Sequence, residues 1–119
     1  MNDLIEFLLA RIADDEAYAR NAFGDHNDVV PEWSEIWSGA VNIGGNAVDG
    51  PELLLTNDSQ VSRHIERWDP ARVLAECEAK RRIVEELREA FGSRRVGLIF
   101  RQLALPYADH PDYDERWRP

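Results

Sequence analysis

Three histidines, one cysteine and four tryptophans are the residues of this chain best suited to chemistry or to ligand recognition. His26, His64 and His110 stand far apart, with no pair at the three- or four-residue spacing that places two ligands on one helix face. Cys77 is the lone thiol, so neither an internal disulfide nor a multi-cysteine zinc set can form, and no metal or cofactor is expected. Cys77 also falls on the apolar stripe of a predicted helix, where a thiol behaves as a small hydrophobe rather than a nucleophile. Paired carboxylates are abundant, but in so acidic a chain their abundance singles out no acid–base couple. Gly44-Gly45 leads toward a strand and no Walker lysine follows, which makes it a poor phosphate cradle. No catalytic residue is assigned, and enzymatic activity is not expected.

Two aromatic groups remain as candidate binding residues. Trp33, Trp37, Arg63, His64, Arg67 and Trp68 can meet around one groove between a small sheet and a short helix. Stacking rings with guanidinium groups suit a nucleotide or another anionic metabolite. Core packing is the expectation for Trp37 and Trp68, whereas Trp33, in a loop of proline and acids, fits core and interface equally. The second group is the C-terminal segment with Tyr107, Asp109, His110, Tyr113 and Trp117. A frayed terminus is usually polar. These rings either dock on the rest of the chain as a strap or form a recognition peptide, and docking is the favoured reading.

The composition bounds what such groups can serve. The 119 residues carry 14 basic and 23 acidic side chains, a net charge of −9, and 44% of them are apolar. A chain of this length and apolar content builds one domain with a core. No apolar run approaches the roughly 20 residues of a membrane span, and no secretory leader stands at the N-terminus, so a cytoplasmic protein is expected. Residues 1–60 hold twelve acids against two bases, a net of −10, and residues 61–119 hold twelve bases against eleven acids, a net of +1. Phosphate-backbone binding needs a clearly basic face, so nucleic acid is the least expected partner. A basic partner is permitted, and solubility is the simplest reason for the charge.

The elements that must position these residues read as an α+β fold in a single domain, residues 1–119. Leu4, Ile5, Leu8, Leu9, Ile12, Ala13 and Ala17 recur at helical spacing and predict a helix from Asn2 to about Phe23, with Arg11 and Asp15 paired one turn apart on its wet side. Residues 24–58 are broken by glycine and proline into strand-like pieces at Glu35–Ile43, Ala47–Val48 and Glu52–Thr56, with a hairpin turn at Gly44-Gly45-Asn46. That gives a small antiparallel sheet of two or three strands. Asp58 or Ser59 caps a short helix to about Trp68, with Val61, Ile65 and Trp68 inward. Asp69-Pro70 opens a long helix to Phe91, since proline at the first helical position gives up a donor that would go unused. Val73, Leu74, Cys77, Val84, Leu87 and Phe91 line its inner side, with Ile83 beside them. A last helix covers about Val96 to Leu105, and the aromatic tail Tyr107–Pro119 shows no regular periodicity.

The block Asp69-Pro70-Ala71-Arg72-Val73-Leu74 with Glu78-Ala79-Lys80-Arg81-Arg82-Ile83, and the closing stretch from Leu103 to Pro119, resemble an uncharacterised family of small actinobacterial proteins. The N-terminal helix is similar to it as well. The resemblance covers both ends and the long helix, and it implies an origin in an actinobacterium or its phages and prophages. Many members carry a cysteine-containing insertion before the tail, which this chain replaces with the short turn Gly92–Arg95. The family supplies no catalytic residues.

The function expected from these features is that of a non-enzymatic interaction or regulatory accessory protein that binds a host or phage macromolecule. Self-association through the long helix 70–91 would add buried surface to a small core. The alternatives are a binder of small nucleotide-type molecules and an acidic mimic of nucleic acid.

Overall fold

The computed structural model describes residues 2–22, 33–37, 39–46, 50–90 and 92–119. Its architecture is α+β: α1 (Asn2–Ala22), β1 (Ser34–Trp37), β2 (Ala40–Asn46), β3 (Gly50–Leu55), α2 (Ser59–Arg67), α3 (Pro70–Leu87) and α4 (Arg94–Ala104). Short 3-10 turns follow at Arg88–Ala90, Leu105–Tyr107 and Glu115–Trp117. The chain divides into two compact units, a terminal unit of Met1–Asp14 and Cys77–Pro119 and a middle unit of Asp15–Glu76. The division falls inside α1 and α3.

The apolar stripe expected on the first helix holds in part, since Leu9 is half-buried and Ala13 and Ala17 are exposed. In the terminal unit Leu4, Ile5, Leu8 and Ile12 are buried, and Phe7 joins them. Cys77 and Val84 of α3, Val96, Phe100 and Ala104 of α4, and Tyr113 of the tail complete the buried set. Leu87 of α3 is half-buried, and Ile83 turns outward at 38% exposure. The long helix ends at Leu87, four residues before the predicted Phe91, because its last turn tightens to 3-10 geometry over Arg88–Ala90; Phe91 lies outside the described residues. α4 starts two residues before the predicted Val96, at Arg94.

Arg11 departs from its predicted place. It donates through Nε to Asp14 at 2.9 Å, and its side chain is only 14% exposed. The guanidinium turns toward the tail, so the wet-side reading of this residue is corrected.

In the middle unit the sheet is an antiparallel meander in the order β1-β2-β3. Glu35 pairs with Val41, Ala40 with Leu55 and Val41 with Leu54. The hairpin predicted at Gly44-Gly45-Asn46 is not there: these residues continue β2, opposite Glu52, Pro51 and Gly50. β2 and β3 pair antiparallel as far as Asn46 and Gly50, and a further reversal stands at Gly39, where φ is 89°, inside the piece Glu35–Ile43 expected as one strand. A Cβ at Gly39 would stand 3.0 Å from the Asn57 Cα, and the Gly39 carbonyl accepts from Thr56 N at 2.7 Å. Glycine is therefore needed for the turn at 39, while the pair at 44–45 adopts extended backbone beside a register shift between Asn42 and Gly44. Pro51 is tolerated because β3 is an edge strand. The strand-like piece expected at Ala47–Val48 lies outside the described residues.

α2 lies against β1 and β2. Asp58 caps it, accepting from Gln60 N at 2.7 Å and Val61 N at 3.3 Å. The predicted inward face is corrected: Val61 and Trp68 are 46% and 45% exposed, and the fully buried residue is Ser62. Its hydroxyl is satisfied by the Asp58 carbonyl at 3.1 Å and the Thr56 hydroxyl at 2.7 Å. A small polar side chain with both partners in place can be buried close to the sheet at little cost.

Candidate functional site

The predicted Asp-Pro junction positions the main candidate site. Asp69 is buried, and its Oδ1 accepts from Arg72 N at 2.9 Å, which caps α3. Its Oδ2 accepts from Trp33 N at 3.0 Å, which ties the segment entering β1 to the α2–α3 corner. One carboxylate thus fixes both Trp33 and the start of α3. Trp68 stands between the two helices, its N–H donating to the His64 carbonyl at 3.0 Å.

Around this corner the middle unit holds a cavity of about 230 Å³ lined by Asp15, Tyr18, Ala19, Ala22, Trp33, Trp68, Pro70 and Val73. Its walls are rings and aliphatic groups, with Asp15 the one charged residue among them. The volume lies below the usual range for small-molecule sites, about 300–1,000 Å³. Trp33 Nε1 is buried with no hydrogen-bond partner among the described residues. Arg72, one helical turn beyond Trp68, stacks its guanidinium 4.3 Å from the Trp68 ring centroid and reaches Glu76 at 3.6 Å. Stacking of this kind contributes about 0.5–1 kcal/mol where it is exposed.

Of the six residues predicted to share a groove, Trp33 and Trp68 do. Trp68 is half-exposed and not core, because the side of α2 that faces the sheet is taken by Ser62. Arg63 points elsewhere, to Glu35 at 3.8 Å. The side chains of His64 and Arg67 are exposed and line no part of the cavity. Trp37 ends β1, and its side chain lies outside the described residues. Sequence reasoning missed Tyr18 and Arg72. The four-residue step from Trp68 to Arg72 was a readable signal for the second. Tyr18, 77% exposed on α1, carried none.

The tail forms the other cluster, in the terminal unit. Phe7 is its hub: Tyr107, Tyr113 and Trp117 lie at ring-centroid distances of 6.4, 5.9 and 5.1 Å, and the His110 ring at 5.7 Å. Tyr113 is 8% exposed, with its hydroxyl unpartnered among the described residues. Arg11 Nη1 reaches His110 Nδ1 at 3.1 Å and lies 3.8 Å from Asp112. Lys80 sits 5.8 Å from the Tyr107 ring centroid. The rings are docked as a strap. Asp109 is exposed and makes none of these ring contacts, but its charge acts on Arg118 and helps raise it.

Ion pairs close the strap. Hydrogen bonds from the Arg116 side chain, then from its backbone N–H, hold the Asp114 carboxyl down to about 2. The Arg118 side chain lowers Glu115 in the same way, and both arginines are raised in return. Glu115, Arg116 and Arg118 are exposed and Asp114 is half-buried at the surface, so these pairs order the surface of the strap more than they stabilise its core.

Among the described residues no group of three or more His, Cys, Asp or Glu side chains is placed to hold a metal ion, and no helix is long and apolar enough to cross a membrane. Fold and site together describe an α+β protein with a ring-lined groove among its described residues. The chain belongs to a family described as a family of unknown function (DUF6221), which matches residues 1–119. No curated protein and no solved structure matches it.

Proposed function

We propose that this protein is a non-enzymatic interaction module that takes a basic segment of a partner protein into the aromatic groove of its middle unit. The observation that carries the reading is the groove itself: Trp33, Trp68 and Tyr18 around about 230 Å³, an acid at its edge and Arg72 stacked on one wall. Trp, Tyr and Arg are the side chains that dominate protein-binding hot spots. The space suits one anchoring side chain better than a whole nucleotide. The middle unit carries twelve acids against four bases, a net of −8, which favours a cationic partner and opposes a phosphorylated one. Arg63, the arginine expected to meet an anion, is paired with Glu35.

The end blocks of the sequence extend the proposal to an actinobacterial or phage-encoded protein that binds a host macromolecule in the cytoplasm. The test is a tryptophan-fluorescence titration of the full chain with a short peptide carrying arginine or lysine beside one large apolar residue. The expected result is saturable binding that weakens with added salt and is lost in Trp68→Ala. Binding of nucleoside phosphates, with no response to the peptide, would overturn the reading.

A further inference from the structure

The cavity at the α2–α3 corner asks for two properties in one ligand group, an apolar surface and a positive charge. Trp33, Trp68 and Tyr18 set three rings around about 230 Å³, with aliphatic side chains such as Ala19 and Val73 between them. Asp15 is the one charged residue of the lining, three positions before Tyr18 and so a neighbour of it on α1. Tyr18 and Trp68 are 77% and 45% exposed, so both rings are open to a ligand. Trp68 already holds a cation: the Arg72 guanidinium lies 4.3 Å from its ring centroid, and Arg72 is not part of the cavity wall. Such a charge is weakly hydrated, which is what allows an aromatic face to hold it.

The wall also discriminates among cations. A primary ammonium brings three N–H donors and a guanidinium five, and each needs an acceptor once it leaves water. Asp15 and the Tyr18 hydroxyl are the side-chain acceptors among the lining residues. A quaternary ammonium brings no donor at all. It turns methyl groups to the rings and a full positive charge to the carboxylate. The volume, below that of most small-molecule sites, suits such a head group at the end of a stem.

We infer that the cavity is an aromatic cage for a quaternary ammonium, the trimethylated ε-amino group of a lysine in the partner's segment. The inference rests on the proposed reading that the groove takes one side chain of a basic segment, and it names that side chain. The net charge of −8 on the middle unit attracts the basic residues on either side of the anchor, which a free quaternary ammonium lacks.

The experiment is isothermal titration calorimetry of the full chain with one basic peptide in three forms: its anchor is trimethyllysine, lysine, or the neutral analogue with a tert-butyl group in place of the trimethylammonium. Choline alone is the fourth probe. The trimethyllysine peptide is expected to bind at least about tenfold tighter than either other peptide. It is also expected to bind tighter than choline, which competes with it. Tyr18→Leu and Trp68→Leu, each checked for helical content by circular dichroism, are expected to remove the preference; Tyr18 stands mostly in water, so its loss leaves the fold intact. Equal binding of the trimethyllysine and lysine peptides would overturn the inference and leave the groove reading standing. A neutral analogue as tight as the methylated peptide would overturn it too, since shape and not charge would then decide. Choline as tight as the methylated peptide would overturn the partner segment as the source. No binding of any peptide would overturn both this inference and the reading it rests on.

Discussion

The two units of this protein use aromatic side chains in opposite ways. In the terminal unit Phe7 is 7% exposed and gathers Tyr107, Tyr113 and Trp117 around itself, so the rings hold the chain end in place. In the middle unit Trp68 and Tyr18 are 45% and 77% exposed around a cavity, and the segment is held by polar caps at Asp58 and Asp69. Charge follows the same division: the terminal unit carries eleven acids against ten bases, a net of −1, whereas the middle unit stands at −8. Buried rings contribute stability and exposed rings offer contact area. The comparison teaches that a count of tryptophans says little until each ring is assigned to one role or the other.

The sharpest way to break this contrast is to remove one ring from each unit. Phe7→Ala is expected to cost about 3–5 kcal/mol in urea unfolding, because the hub of a buried cluster leaves a cavity. Trp68→Ala is expected to cost no more than about 1 kcal/mol, since its ring is half in water, while removing peptide binding. Equal losses of stability in the two variants would erase the distinction.

Next in size is the cap. Asp69→Ala leaves Trp33 N and Arg72 N without their acceptor and is expected to cost about 2 kcal/mol. Amide exchange should rise first at Trp33 and in the opening turn of α3. A variant that unfolds like the wild type, with no local change there, would show that the corner is held by something other than the carboxylate.

The smallest expected effect is acid loosening of the strap. Asp114 has a folded pKa of about 2, below its ordinary 3.8. A depressed carboxylate pKa contributes stability that is complete above the unfolded value and fades as pH falls through the folded one. The Arg116 amide should therefore keep its position in NMR spectra down to about pH 4 and shift as pH approaches about 2. The same acid titration of Asp114→Asn should be flat in that window.

Much of the fold was legible because local rules and packing agree. Asp58 and Asp69-Pro70 mark helix starts by chemistry that acts over three residues, and both helices begin where those residues place them. The stripe Leu4, Ile5, Leu8 and Ile12 is buried as its spacing demands. The hairpin was placed inside β2 because Gly44-Gly45 reads as a turn signal although the pair is extended there, and the turn at Gly39 went unread because only the approach of Asn57 marks it as a position that cannot carry a Cβ. Ser62 displaced Val61 from the inner face of α2 through two hydrogen bonds that no apolar periodicity records. The terminal unit was hidden for a related reason: its two pieces come from opposite ends of the chain. Of the candidate site, Trp33 and Trp68 were readable as a pair, but the path from one to the other runs through the second oxygen of Asp69, a long-range contact.

The proposed working surface is the groove of the middle unit. Amide hydrogen exchange of the full chain, with and without a short basic peptide, tests it most directly. The account predicts slowed exchange around Trp33, at the end of α2 and in the first turns of α3, with the strap around Phe7 and Tyr113 unchanged. Protection of the strap instead, or no protection at the groove at saturating peptide, would contradict it.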